Sequence, residues 1–179
     1  MSGRRSGEAL SDGVVALRPW TEADAPAIVE CIDGDPEIGR WLDQVPQPYS
    51  LDDALGYIRG AGEQSFAILE AGDAAVLGSI GVRWNEAGDI GEVGYWLCAG
   101  ARGRGVATRA VRLVSAWALA RGGIGRLQLR AAVGNDASRR VAERAGFTFE
   151  GVLRSAHWNP RLGRRLDWAM YSRLPGELD

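Results

Sequence analysis

The stretch Ala99-Gly-Ala-Arg-Gly-Arg-Gly-Val-Ala107 holds the residues of this chain best suited to bind an anion. Glycines open backbone conformations that other residues resist, so successive N–H groups can converge. Arg102 and Arg104 add charge-assisted donors of the kind that hold phosphate. The flanks give the turn its setting. Upstream, Val93, Tyr95 and Leu97 alternate with Gly94, Trp96 and Cys98, the period of a strand. Downstream, Val106, Ala110, Leu113, Val114, Trp117 and Ala118 recur at helical steps along one face. A Gly-rich turn at a helix N-terminus gathers free N–H groups and the positive end of a helix dipole at one spot. Such turns also occur without a ligand, so the spacing decides. A Walker loop needs Gly-Lys-Ser/Thr, and the chain has no lysine. A dinucleotide fingerprint needs a third glycine where Thr108 stands, and an acidic residue about 20 positions on, where Gln128 and Arg130 stand. What remains is Arg102-x-x-Gly105-x-Ala107.

The elements that must position this turn read as follows. Residues 1–12 are polar and read as a flexible tail, and one domain spans 13–175. Val14 to Arg18 is a short strand. Thr21 caps a helix to Ile32, with Asp24 three positions on. Asp35-Pro36 opens a helical turn that includes Trp41. Val45 to Tyr49 is extended, because Pro46 and Pro48 block helix. Ser50 caps a helix from Leu51 to Gly62, with Asp53 completing a capping box. Strands follow at Ser65–Glu70, Ala75–Trp84 and Ile90–Cys98. The helix from Val106 ends near Arg121 at Gly122-Gly123. Arg126–Val133 is a strand, Asn135 caps a helix to Ala145, and Gly146 stops it. Strands at Phe147–Trp158 and Arg165–Leu174 close the chain. Short turns favour antiparallel neighbours, and the helical crossover at 106–121 favours one parallel pair. The expectation is a mixed, mostly antiparallel α/β sheet with helices on both faces.

Composition narrows the setting. A chain of 179 residues buries roughly two-thirds of its unfolded surface without help from disulfides or metal. Cys31 and Cys98 lie far apart in sequence and are read as forming neither a metal site nor a redox pair, which suits a reducing cytosol. No apolar run long enough to span a membrane and no signal peptide is seen, so a cytoplasmic protein is expected. The formal net charge of −2 hides an asymmetry. Residues 1–100 hold 6 Arg and 17 Asp/Glu, while residues 101–179 hold 15 Arg and 6 Asp/Glu. The basic half suits an anionic ligand and the acidic half a cationic one, unless the two simply pair across the domain. Nucleic acid is disfavoured, since no run of exposed aromatics interleaves the arginines.

Taken together, these residues resemble the GCN5-related N-acetyltransferases (GNAT), and within them the ribosomal-protein N-terminal acetyltransferases RimJ and RimL. The resemblance runs from about Val14 to Leu174. It is carried by Leu17-Arg-Pro-Trp20, Gly94-Tyr-Trp-Leu97, Arg102-Gly-Arg-Gly-Val-Ala-Thr108, Asn135-Asp-Ala-Ser138, Ala145-Gly-Phe147, Glu150-Gly151 and Asp167-x-x-x-Tyr171. It implies a single-domain fold with a V-shaped split between the parallel strands at 90–98 and 126–133, where acetyl-CoA enters. By the same resemblance, backbone groups at Leu97, Cys98 and Ala99 pair with the pantetheine arm. The N–H groups of Arg102, Gly103, Arg104, Gly105, Val106 and Ala107 hold the pyrophosphate. Asn135 touches the arm or simply caps its helix.

The implied chemistry is direct attack of a neutral primary amine on the thioester. A backbone N–H near Leu97 or Cys98 would serve the oxyanion. Ser138 resembles the family's hydrogen-bond donor at the leaving sulfur, or else it bonds only backbone. His157, the sole histidine, stands where relatives place Asp or Glu. It is either the base or a structural residue. Cys98 as a covalent nucleophile would need His157 as its activator, and packing as a small apolar group is the simpler reading. Trp41, the 45–49 loop, Tyr49, Tyr57 and Trp84 fall where relatives line the acceptor groove. The expected acceptor is a protein or peptide N-terminal α-amine. The alternatives are a small amine, such as an amino acid or aminoglycoside, or an acyl-CoA-binding module of low turnover. A monomer and a homodimer are equally compatible with the sequence.

Overall fold

The computed structural model describes residues 9–177. Its strands are β1 (Leu10–Ser11), β2 (Val15–Pro19), β3 (Ser65–Glu70), β4 (Val76–Trp84), β5 (Ile90–Leu97), β6 (Arg126–Ala132), β7 (Thr148–Asn159) and β8 (Arg164–Arg173). Its α-helices are α1 (Ala25–Ile32), α2 (Pro36–Trp41), α3 (Leu51–Gly60), α4 (Val106–Leu119) and α5 (Asp136–Arg144). The strands form one sheet in the order β1-β2-β3-β4-β5-β6-β8-β7. Each neighbouring pair is antiparallel except β5 and β6, which are joined by the α4 crossover and run parallel.

The two parallel strands stay together only briefly. Ile90, Gly91 and Glu92 pair with Arg126, Leu127 and Gln128, and beyond them the strands part. The remainder of β5 therefore has a partner on its β4 side alone. This is the expected V-shaped split, in a mixed sheet with helices on both faces.

Strand alternation sorts β5 between the two layers. Val93 and Leu97 are buried with α4 and Ala142 of α5, and Tyr95 packs against the same cluster. Trp96 faces the opposite layer, built on Ala25, Ile28, Ile32, Ile38, Tyr49 and Ala54. So α4 and α5 cover one face of the sheet and α1 to α3 the other.

Local chemistry explains most boundaries. Ser50 accepts the Asp53 N–H, and Asp53 accepts the Ser50 N–H, closing the capping box that starts α3. The helix expected from Thr21 opens instead as a 3₁₀ turn, Glu22–Asp24. There Asp24 is held by the Thr21 N–H and by Arg18, and α1 begins only afterwards. The tail expected through Asp12 also needs correction. Leu10 and Ser11 pair with Leu17 and Ala16, because the Asp12 carboxylate accepts the Val14 and Val15 N–H groups and folds the chain back. Residues 1–8 lie outside the described residues.

One expectation is overturned outright. Cys31 and Cys98, read as forming neither a metal site nor a redox pair, form a disulfide with a Cα–Cα distance of 4.7 Å. Cys31 sits near the end of α1, and Cys98 directly follows β5. Packing α1 on the face of the sheet that carries Trp96 brings the two thiols together across 67 residues of sequence. Spacing alone hides a contact that only the layer arrangement creates.

Candidate active site

At the turn, Gly103 and Gly105 have φ of 75° and 79°, the left-handed region that glycine adopts freely. Gly105 is the N-cap of α4 and supplies no side-chain cap. The first N–H groups of α4 thus lack intrahelical acceptors. A Cβ built at Gly103 or Gly105 would meet nothing within 4 Å, so the space above the turn is open. Val106 and Ala107 are buried beneath it. The geometry suits a diphosphate held by backbone donors at a helix N-terminus.

The arginines behave differently from their sequence reading. Arg104 is half-exposed and lies 3.3 Å from Glu70. Arg102 turns back across the sheet edge. It donates to Asp35 at 2.5 and 3.3 Å and to the Leu97 carbonyl at 2.9 Å. Asp35 also caps α2 by accepting the Glu37 and Ile38 N–H groups. Burial acts to raise the Asp35 pKa, but the Arg102 hydrogen bond, the two N–H bonds and the Arg102 charge outweigh it and hold it below the usual 3.8.

The end of β5 separates the two candidate oxyanion donors. The Cys98 N–H donates to the Leu77 carbonyl at 2.9 Å and is spent on β4. Successive N–H groups of a strand point to opposite edges, so the Leu97 N–H faces the split. Ala99 begins a 3₁₀ turn, and its carbonyl accepts the Arg102 N–H at 3.2 Å. Because Cys98 is in the disulfide, it presents no thiol to an acyl group.

Across the split, Asn135 caps α5 by accepting the Ser138 N–H at 3.1 Å. Ser138 does not use its side chain on the helix backbone. Its Oγ accepts a hydrogen bond of 3.0 Å from the Tyr95 hydroxyl. Burial pushes the Tyr95 phenol up to about 12, against a smaller lowering by Ser138, so at neutral pH it remains a donor.

On the α1–α3 face lies a cavity of about 620 Å³. Tyr49, Tyr57 and Trp96 give it an aromatic lining, and Glu92 and Asp53 are its carboxylates. The 45–49 loop contributes Val45, Pro46 and Tyr49, as expected, whereas Trp41 and Trp84 do not line it. Glu92 is already engaged by Arg130, by Arg83 at 3.0 Å and by Gln128 at 3.2 Å. Burial acts to raise its pKa, and Arg130, Gln128 and Arg83 together bring it below the ordinary value.

His157 is not among the cavity residues. Its Nε2 lies 2.9 Å from Oδ2 of Asp43, and its ring stacks on Trp168 at 5.1 Å. Asp43 belongs to the loop between α2 and α3. Asn159 holds the Arg40 carbonyl of α2 at 3.1 Å, and Arg161 holds the Val45 carbonyl, so the β7–β8 hairpin grips that loop at two points and the end of α2 at a third. Sequence reasoning missed Asp35, Asp43 and the Tyr95 hydroxyl. Each acts through a partner distant in sequence, and no local pattern marks such contacts.

A sheet split at its parallel pair, with an open helix N-terminal turn at its mouth and the Ser138 hydroxyl across it, suits a CoA thioester. The model of the acetyltransferase (GNAT) domain matches residues 15–148, and the chain belongs to that family. It is an N-acetyltransferase, with acetyl-CoA as acyl donor. A Bacillus subtilis relative, described as "Putative ribosomal N-acetyltransferase YdaF", is 30% identical over 171 residues, covering 91% of this chain and 92% of the relative. Among solved structures, a GNAT acetyltransferase from Bacillus anthracis superposes with a TM-score of 0.83 at 17% identity, covering 94% of this chain and 99% of that one. RimL, the ribosomal L7/L12 α-N-protein acetyltransferase in complex with coenzyme A, gives 0.79 at 22% identity, covering 96% and 100%. These two share the fold.

Proposed function

We propose that the enzyme acetylates the N-terminal α-amine of a protein or peptide. The observation that carries this reading is the state of the cavity's acids. Glu92 is tied to two arginines, and Asp53 is bound by the Ser50 hydroxyl and N–H. Neither is a strong base held in reserve. An α-amine with a pKa of about 7.7–8.0 is roughly one-tenth neutral at pH 7, whereas a lysine amine near 10.4 is neutral about once in 2,500. A site without a reserved base suits the first. The description of the Bacillus subtilis relative as a ribosomal N-acetyltransferase supports it.

The roles follow from position. The turn from Gly103 to Ala107 binds the diphosphate, and the backbone at Ala99, just past the end of β5, pairs with the pantetheine arm. The Leu97 N–H stabilises the oxyanion. Ser138 donates a hydrogen bond to the departing sulfur, and the amide of Asn135 lies at the same helix start. The amine proton leaves through water to the solvent. His157 positions the acceptor loop through Asp43. We place the enzyme in the cytoplasm, where the reducing environment works to open the Cys31–Cys98 bond. Among the described residues no helix is long and apolar enough to cross a membrane.

The test is mass spectrometry of protein N-termini with and without the enzyme, beside a panel of small amines. Acetylated α-amines are expected. Faster turnover of an amino acid or aminoglycoside would overturn the reading, and absence of turnover on every amine would leave only acyl-CoA binding.

A further inference from the structure

Tyr95 has no part in the roles above, yet its hydroxyl links β5 across the split to Ser138. It lies on β5 three residues past Glu92, where pairing with β6 has already ended. Its side chain faces the α4–α5 layer and reaches the first turn of α5 at 3.0 Å. The contact joins residues 43 apart in sequence.

We propose that Tyr95 is a positioning residue for the acetyl-transfer step, its hydroxyl fixing Ser138 as an outward donor to the leaving sulfur. The proposal rests on the reading of Ser138 as that donor. A serine hydroxyl has one proton and can rotate it. In the first turn of a helix, a serine commonly turns its side chain to nearby backbone. Here the Oγ accepts from the phenol, so its own proton points away from Tyr95. Among the described residues, the Ser138 hydroxyl donates to nothing. A chain of two hydroxyls also polarises the second one, which strengthens the bond it gives. The phenol stays protonated near neutral pH because burial holds its pKa at about 12. Neither hydroxyl changes protonation state in this account. The sulfur leaves with the electron pair of the broken C–S bond, and the pair stabilises that thiolate by hydrogen bonding.

The test combines a double-mutant cycle with a binding measurement. Tyr95→Phe keeps the ring and removes only the hydroxyl. It should lower kcat roughly three- to tenfold, the effect of one lost neutral hydrogen bond, and leave the KM for acetyl-CoA nearly unchanged. In a Ser138→Ala background the same change should have no further effect. Binding of coenzyme A is then measured by calorimetry from pH 7 to 10, beside desulfo-CoA. A free thiol ionises near pH 8.5, so a site that favours thiolate binds CoA more tightly as pH rises through that value. Tyr95→Phe should blunt that tightening and leave desulfo-CoA binding as in wild type. If Tyr95→Phe slows the Ser138→Ala enzyme as much as the wild type, or weakens desulfo-CoA equally, Tyr95 merely packs the split and the proposal fails. If Ser138→Ala is slow but Tyr95→Phe turns over normally, the proposal fails alone. If Ser138→Ala itself runs at the wild-type rate, the donor reading falls and takes the proposal with it.

Discussion

Arg102 leaves the Gly-rich turn before α4 and lies on Asp35, just before α2, with a contact of 2.5 Å. Four residues before each partner, Cys31 and Cys98 form the disulfide. Two parallel links therefore tie the end of α1 and the start of α2 to the exit of β5. One is an ion pair and the other is covalent.

Removing the arginine tests the first link. Arg102→Ala leaves the Asp35 carboxylate, 8% exposed, with only its helix N–H partners. The expected cost is roughly 1–3 kcal/mol in stability, read by chemical denaturation. The KM for acetyl-CoA should change less than loss of a charged phosphate contact would require. Acid acts on the same pair. The Arg102 and α2 bonds outweigh burial and depress Asp35, and the Arg18 bond depresses Asp24 in the same way. A depressed carboxyl contributes stability in full above its unfolded value and loses it as pH falls through the folded one. The melting temperature should therefore stay level from pH 7 to 5 and drop below about pH 4. A profile flat to pH 2 would show that neither pair contributes.

At the cofactor turn, Gly105→Val forces a β-branched residue to a φ of 79° and fills open space above the α4 N-terminus. Acetyl-CoA binding by calorimetry should nearly vanish. Wild-type affinity in a folded variant would remove the diphosphate assignment. Arg104→Ala, which only releases Glu70, should be the milder change.

Opening the disulfide should loosen the fold before it stops the chemistry. In the chain-entropy picture a crosslink closing a loop of 67 residues stabilises by about 4 kcal/mol. Cys31→Ser with Cys98→Ser should lower the denaturation midpoint accordingly, and dithiothreitol should do the same to the wild type. Turnover per folded molecule should persist if the acetyl group passes directly to the amine and not through Cys98. An acetyl-Cys98 peptide trapped within one turnover time would contradict direct transfer.

His157→Gln keeps a donor for Asp43 and should leave kcat within a few-fold of wild type. His157→Ala frees the α2–α3 loop and should raise the acceptor KM, while acetyl-CoA affinity is unchanged. General-base assistance typically contributes 10²–10⁴-fold. A kcat loss of about a hundredfold in the Gln variant, with acetyl-CoA affinity unchanged, would return His157 to the role of base.

Much of the frame was legible in the sequence by itself. The alternation of Val93, Tyr95 and Leu97, the capping pair Ser50–Asp53, Asn135 before α5 and the glycines at 103 and 105 are local signals. Their physics acts within a few residues, so order and spacing suffice to place the strands, the helices and the anion turn. The single parallel pair followed from one helical crossover. What the tertiary structure alone decided lies in contacts between distant segments. Cys31 meets Cys98 and Arg102 meets Asp35 because α1 packs on the Trp96 face of the sheet. His157 is turned to Asp43 because the β7–β8 hairpin grips the α2–α3 loop. Tyr95 finds Ser138 because β5 and β6 part at Glu92 and Gln128. A side chain's type limits which partners it can take, but the partner it meets is chosen by the packing of layers, which no local pattern encodes.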